Sequence, residues 1–476
     1  MRFAGYFTTV LPFTALVLAG CATVPAREAG MGIDQNAAYS SAAPNAKTTD
    51  DQEAILTREG WWHLYQDSSL DALMNAAFID NPGLNQTQAR LAQAEATARG
   101  SASSLFPQLS VSGARGTSRG DNSSPSDFDL RGAASYELDL WGQNRASAES
   151  SSLLADASRE DLRAAAVSLS ATITEDWLKL LAAREEEDLL KKQIDVNATI
   201  LALQNKRFAM GNASALDILQ QKQALAKAKA QMPDILATQE QLEHQLAILI
   251  GRLPSDGLDI KGSSLPPALP LPKTGLPSDL LGARPDIAAG WMRLRSADWA
   301  AASATAARLP SFSLSATYST SAAVLDGLFQ TWLLDLAANL ALPVIDGGAL
   351  RAEEARQKAI ADENFHAYRE IVLNAVGDVE DALSLNAHQD DELVALNAEL
   401  EAAQSTLKQA QISYTNGDQD YINVLDALTS LQSLEQQIVQ ERLNLHLDRV
   451  ALYRALGGRS WADHALDAAR NKDGEQ

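Results

Sequence analysis

Residues 143–210 of this chain form a stretch of 68 without a single glycine or proline. Both common helix breakers are absent, one because it lacks an amide donor and the other because of its backbone entropy, so the stretch predicts one continuous helix. At about 1.5 Å per residue such a helix is roughly 100 Å long, far beyond the three or four turns usual in globular domains. Leu162, Ala166, Leu169, Ile173, Trp177 and Leu180 step by four, three, four, four and three, which draws one apolar stripe along it. The stretch occurs twice. Shifted by 206 positions, Gly142 falls on Gly348, Arg145 on Arg351, Phe208 on Tyr414, Gly211 on Gly417 and Gly251 on Gly457. Residues 349–416 are therefore a second 68-residue helix, interrupted only by Gly377. There Phe365, Tyr368, Val372, Ala375, Val379 and Ala382 come close to a coiled-coil seam.

Ahead of each long helix the period changes from 3.6 to 2. Phe128, Leu130, Gly132, Ala134, Tyr136, Leu138 and Leu140 alternate with polar or small residues, a strand with one apolar face whose partner is residues 108–116. The second half repeats the device after Leu309-Pro310. Phe312, Leu314, Ala316 and Tyr318 alternate with Ser and Thr, and Trp332, Leu334, Leu336, Ala338, Leu340 and Leu342 mark the returning strand. The repeat offset is 203 at Pro107 and Pro310 but 206 after the hairpins, so three extra residues lie inside the second hairpin. Strands of about 10 to 13 residues match the length needed to cross a bilayer core at a tilt. A small soluble sheet fits the alternation too. Within a membrane, four strands are too few to close a barrel and an open edge is forbidden, so several chains must contribute.

After each long helix the chain turns at Gly211 or Gly417, read as helix C-caps, and returns through residues 213–250 and 420–456. Each returning helix, placed end to end with the shorter helix before the hairpin, approaches the length of the long one. Pro254, Pro266, Pro267, Pro270, Pro272 and Pro277 mark an extended linker between the halves. The expected organisation is residues 1–20 signal peptide, 21–57 tether, 58–250 first repeat, 251–283 linker, 284–458 second repeat and 459–476 tail.

At the N-terminus, Arg2 and an apolar run lead to Leu18-Ala19-Gly20-Cys21, which reads as a secretory signal too short to remain as a span. Its ending resembles the lipobox of bacterial lipoproteins, so Cys21, the only cysteine, is the expected lipidation site. Ala22 and Thr23 follow rather than an acidic residue, which in similar lipoproteins permits passage to the outer membrane. Removing residues 1–20 takes away Arg2 and moves the net charge from −22 to −23, which argues against nucleic acid as a partner.

The segments from Trp61-Trp62 through Asp80-Asn81-Pro82, Leu276-Pro277-Ser278-Asp279-Leu280-Leu281 with Arg284-Pro285-Asp286-Ile287, Leu309-Pro310-Ser311-Phe312, and Tyr414 through Asp426 carry a resemblance. They are similar to the outer membrane factor family of bacteria, the TolC-like and OprM-like proteins, and to its lipid-anchored NodT-type branch. The resemblance implies a mainly α fold with a membrane β part, in which two tandem repeats of long antiparallel helices form a trimeric α-barrel. That barrel continues into a 12-strand outer-membrane β-barrel to which each of three chains gives four strands. It further implies a passive exit duct of a tripartite efflux system, anchored to outer-membrane lipid, reaching into the periplasm and engaging a periplasmic adaptor and an inner-membrane pump. The outer channel of a type I secretion system is the alternative, and a lipid-anchored coiled-coil spacer a more distant one.

No cofactor, metal site or catalytic residue is expected. Glu363-Asn364-Phe365-His366 matches the Glu-x-x-His of di-iron bundles, but that chemistry needs two such motifs and the chain has one. Glu185-Glu186-Glu187-Asp188 followed by Lys191-Lys192 reads as a solvated helix face. The resemblance instead points to the second-repeat turn as a periplasmic gate, with Tyr414, Gln419, Ile422, Asn423 and Asp426 at gating positions and Asp217 on the facing turn. Gln419 stands where TolC-like members have arginine and Asn423 where they have aspartate, so a hydrogen-bonded latch fits better than a salt-bridged one. Asp426 and Asn423 also suit a solvated helix start, where carboxylates are favoured. Cys21→Ala is expected to abolish palmitate labelling while leaving some barrel assembly, because the strands supply their own membrane affinity. Labelling that persists in the variant removes the lipid anchor.

Overall fold

A computed structural model describes residues 60–116, 127–272, 279–458, 461–463 and 465–467. Cys21, the tether, the tip of the first hairpin and Leu276-Pro277-Ser278 lie outside them. A 3-10 turn over Trp61–Tyr65 leads into helices α1 (Ser68–Asp80) and α2 (Pro82–Ala102), strands β1 (Gln108–Gly116) and β2 (Asp127–Glu137), and helices α3 (Gln143–Ala209) and α4 (Ala215–Leu249). Then follow α5 (Leu280–Ala283), α6 (Pro285–Ala306), β3 (Ser311–Ala322), β4 (Trp332–Ala341), α7 (Ala349–Asn416) and α8 (Tyr421–Ala455). The two long helices hold 67 and 68 residues, as the missing breakers predict. Contacts divide the chain into two compact units. One includes Ala89–Glu160 and Ala288–Ile371; the other includes Asp161–Ile287 and Val372–Gln476.

In the first unit the two hairpins merge into one antiparallel sheet of order β1-β2-β3-β4. Its register sorts the side chains by face. Leu109 lies opposite Ala134, which lies opposite Ala316, which lies opposite Leu336. One residue along, Ser110, Ala133, Thr317 and Asp335 form the matching row on the other face. The apolar face is solvent-exposed in the single chain, with Leu336 at 75% and Leu340 at 68%. The polar face carries Arg131, Asp129, Asn339 and a series of serines, and Leu333 is its apolar exception. Strands β1 and β4 each have a neighbour on one side only.

Strand β2 ends at Glu137, three residues before the alternation stops. The next amide, on Leu138, still donates to the Phe312 carbonyl at 2.8 Å. Asp139 then changes role. Its carboxylate accepts from the backbone amides of Asn144 and Arg145 at 3.1 and 2.9 Å, satisfying two orphan donors in the first turn of α3. Capping thus overrides the alternating pattern.

In the second unit the α3 stripe is buried from Leu162 to Leu180, as is its counterpart on α7 from Val372 to Ala382. Where α4 ends beside the start of α2, one side chain serves both helices. Asn81 accepts from the Leu84 amide with Oδ1 and donates through Nδ2 to the Leu249 carbonyl, both at 2.8 Å. Its equivalent in the second repeat is Arg284, which donates to the Ala455 carbonyl at 3.1 Å. Gly251 and Gly457 end the two returning helices at φ 72° and 95°. A Cβ on Gly251 would stand 2.4 Å from the Asp80 carbonyl oxygen, and one on Gly457 the same distance from that of Ala283. Close approach and a left-handed φ together require glycine here.

The proline-rich linker is extended but pinned. Arg184 donates to the Ile260 and Gly262 carbonyls at 2.8 and 3.0 Å, and Glu185 accepts from the Leu265 amide at 2.8 Å. Tyr453 donates to the Pro270 carbonyl at 3.0 Å. His446 Nε2 lies 3.0 Å from the Pro266 carbonyl, so Nε2 carries the proton and Nδ1 accepts from the Tyr65 hydroxyl at 3.3 Å. Burial, together with Arg442 and Arg449 nearby, pulls the imidazole down to about 4. It is neutral at pH 7.

The sheet gives a direct test. Leu336→Arg or Leu340→Arg places charge on the exposed apolar face, at a cost of about 2 to 4 kcal/mol near a bilayer midplane, whereas Ala337→Arg points to the polar face. The yield of membrane-assembled protein is expected to fall for the first two and to fall far less for the third. Equal yields would remove the membrane assignment of that face.

Candidate functional site

The two long helices end in the same way. At the end of α3 the Asn212 amide donates to the Arg207 carbonyl at 2.8 Å and the Gly211 amide to Phe208 at 2.9 Å. At the end of α7 the Asp418 amide donates to Ser413 at 2.9 Å and the Gly417 amide to Tyr414 at 3.1 Å. Both are Schellman closures, with Gly211 at φ 75° and Gly417 at φ 83°. The space around each glycine is open, so the backbone conformation alone asks for it.

The turns are joined by side chains. Tyr421, Val424 and Leu425 of α8 form a buried cluster against Ile200, Ala224, Leu407, Ala410 and Tyr414. Beside it runs a polar seam. The Tyr421 hydroxyl donates to Gln221 Oε1 at 2.6 Å, and Gln221 Nε2 donates to the Asn197 carbonyl and side-chain oxygens at 2.9 and 3.0 Å. Asn197 Nδ2 donates onward to Gln432 Oε1 at 3.1 Å. One turn further, Gln193 donates to Glu435 at 3.1 Å and accepts from Gln436 at 3.0 Å. Gln193, Asn197, Gln204 and Gln221 are all buried. Burial, with Tyr414 and Asp217 near it, pushes the Tyr421 phenol well above its ordinary range, so it remains a donor.

The expected gate residues divide between this seam and solvent. Tyr414 donates to Gln204 Oε1 at 3.1 Å, with the Arg207 guanidinium 4.5 Å above its ring. Asp217 forms a capping box with Ser214. Its carboxylate accepts from the Ser214 amide at 3.0 Å and hydroxyl at 2.8 Å, while its own amide donates to Ser214 Oγ at 3.2 Å. Within one chain, then, Tyr414 meets Gln204 rather than Asp217. Gln419, Ile422, Asn423 and Asp426 are exposed on the second turn, and Asn423 donates from Nδ2 to the Asp420 carbonyl at 3.4 Å. Cys21 lies outside the described residues. The buried glutamine and asparagine seam was not anticipated, although its signal is present: Gln193, Asn197, Ile200, Gln204 and Arg207 step by four, three, four and three.

Among the described residues no group of three or more His, Cys, Asp or Glu could hold a metal ion, and no helix is long and apolar enough to cross a membrane. A pattern described as outer membrane efflux protein matches residues 73–252 and 276–458, which covers both repeats. The chain belongs to the outer membrane efflux protein family. Among its relatives, the pyoverdine export outer membrane protein OpmQ of Pseudomonas aeruginosa is 31% identical, with 96% of this chain and 97% of the relative covered. The antibiotic efflux pump outer membrane protein ArpC of Pseudomonas putida is 27% identical over 94% of each chain. Of solved structures, the outer-membrane channel OprN superposes at a TM-score of 0.76 with 28% identity, covering 88% of this chain and 99% of its own. CusC superposes at 0.79 with 23% identity over 87% and 99%, a likeness of fold. The long helices and the four-stranded sheet are thus those of an outer membrane efflux protein, a transport family.

The seam predicts an order of stabilities. Tyr421→Phe leaves the buried Gln221 oxygen short of a donor, for an expected loss of about 1 to 3 kcal/mol, whereas Tyr414→Phe acts at a half-exposed contact and costs less than about 1 kcal/mol. Urea unfolding of the purified variants in detergent measures both. Equal losses would mean that the seam does not hold the turns together.

Proposed function

We propose that three copies of this chain form the outer-membrane exit duct of a tripartite efflux system. One observation carries the assembly: a four-stranded sheet has two open edges and an exposed leucine face on the same chain as helices of 67 and 68 residues. Backbone groups at an open edge have no water to bond in hydrocarbon, so further copies must pair them, and three chains of four strands supply a closed 12-strand barrel. The polar face, with its serines and Arg131, Asp129 and Asp335, then lines the bore. Small molecules are the favoured cargo, since relatives are named for exporting pyoverdine, antibiotics and toluene. The duct is passive. A periplasmic adaptor and an inner-membrane pump supply substrate and energy, and diacylated Cys21, as in the NodT-type branch, adds an anchor to the outer membrane.

The second turn would be the periplasmic gate. Gly211 and Gly417 set the turns, Tyr414 holds the second turn to the first, and Asp426, exposed at the start of α8, would form a ring when repeated by symmetry. A ring of carboxylates in a narrow pore attracts cations and excludes anions. Ile422 is the candidate apolar seal beside it, with Gln419 and Asn423 completing the rim and Asp217 on the facing turn.

Single-channel recording in planar bilayers tests both levels. The purified protein is expected to conduct, and Asp426→Ala to lower cation selectivity with little change in closure. Absence of conductance sinks the duct; unchanged selectivity confines Asp426 to a helix-start role and leaves Ile422 as the seal.

A further inference from the structure

Across the leucine face of the sheet a single side chain breaks the apolar pattern. Of the described strand residues on that face, from Leu109 on β1 to Leu340 on β4, only Arg115 carries a charge. Arg115 is exposed and is the next-to-last residue of β1, at the end of the sheet away from the long helices. A charge facing lipid costs about 2 to 4 kcal/mol at the bilayer midplane but only about 0 to 1 near the interface, so this end is where an arginine is tolerated. Its position is built. Phe128 lies opposite it in the register, and the guanidinium stands 5.2 Å from the centre of that ring.

Aromatic rings gather at the same end of the same face. Tyr318 and Trp332 stack at 6.0 Å with an interplanar angle of 22°, and Trp332 is 61% exposed. The loop between β3 and β4 closes onto this end, where the Thr320 hydroxyl donates to the Thr331 carbonyl at 2.7 Å. It leaves Val324, Leu325 and Phe329 exposed. Toward the helices the face ends in another aromatic pair, Tyr136 and Phe312, with Leu109, Ala134, Ala316 and Leu336 between. Aromatic rows on either side of an aliphatic band mark the two interfaces of a bilayer, and Arg115 belongs to the row at the hairpin tips.

We propose that Arg115, backed by the Phe128 ring, binds a phosphate of lipid A, the phosphorylated glycolipid of the outer leaflet. The site rests on the trimeric membrane reading above, which puts the helices in the periplasm and the hairpin tips at the outer leaflet. In a closed ring β4 of one copy lies beside β1 of the next, so Arg115 stands between its own Phe128 and the Trp332 of a second copy. A planar guanidinium presents paired donors that match two phosphate oxygens, and the flanking rings offer flat apolar faces to the C–H groups of a sugar. Asp326 is exposed in the second loop. Among the described residues the outer face at this end therefore has no general excess of positive charge, and binding depends on the fork of one arginine. A phosphate carried on a sugar uses both the fork and the rings; a glycerol headgroup uses only the fork.

The experiment uses the full-length trimer in detergent, with bound lipid counted by native mass spectrometry. The probes are bisphosphorylated lipid A, the same lipid with its phosphates removed, and phosphatidylglycerol. The parent is expected to hold up to three bisphosphorylated molecules per trimer, and to hold the other two lipids about tenfold less tightly or weaker. Arg115→Gln removes that preference, Arg115→Lys keeps part of it, and Arg131→Gln, on the opposite face, leaves it intact. A trimeric parent that binds the phosphorylated and dephosphorylated lipids alike overturns the proposal without recourse to any variant. Equal binding of phosphatidylglycerol overturns it by reducing the site to a general anion contact, and displacement of lipid A by millimolar inorganic phosphate overturns it by assigning the site to free phosphate. A trimeric Arg115→Gln that keeps the preference overturns it as well. A parent that forms no trimer sinks the trimeric reading and the site with it, whereas a trimer without lipid preference sinks the site alone.

Discussion

Every part of this molecule answers to the need of buried or lipid-facing backbone groups for hydrogen-bond partners. In the long helices the need is met internally, residue by residue, which is why they can be so long. At their ends it is met by Asp139 ahead of α3, by Ser214 and Asp217 ahead of α4, and by the glycine closures after α3 and α7. The edges of the sheet are the exception. One chain cannot pair the outer side of β1 or β4, and the proposed assembly of several copies in the membrane is what would meet that single deficit.

Duplication supplied two copies of each solution, and the copies have since diverged in chemistry while keeping geometry. Asn81 and Arg284 stand at equivalent places and donate to equivalent carbonyls, Leu249 and Ala455, one with a short amide and the other with a guanidinium. Arg284 is tied in turn to Asp286 at 2.7 Å and Asp378 at 3.0 Å, so the longer side chain brings a local ion-pair network with it. Gly251 and Gly457 could not diverge, because a neighbouring carbonyl oxygen fills the place of a Cβ in both.

At the turn end the interior is polar where an ordinary bundle would be apolar. Buried glutamine and asparagine cost desolvation unless every group is paired, and here Gln193, Asn197 and Gln221 pair with one another and with α8. Such a seam fixes register between helices of one chain more sharply than leucines would, since a slip leaves several buried groups unpaired at once.

The sequence by itself determined the elements: two long helices by the absence of breakers, four strands by alternation, the turns at Gly211 and Gly417, and the face on which Leu336 and Asp335 lie. These are local properties, set by period and backbone freedom within a few residues. Three features escaped it: the first is a local competition in which helix capping overrides strand alternation, and the other two join residues far apart in the chain. Asp139 looked like a strand residue until the first turn of α3 claimed it. The linker prolines marked an extended path, and only the fold shows Arg184, His446 and Tyr453 holding their carbonyls or those beside them. Tyr414 was singled out by the family resemblance, but only packing of α3 against α7 and α8 decided that its partner is Gln204, while Asp217 is engaged at its own helix start.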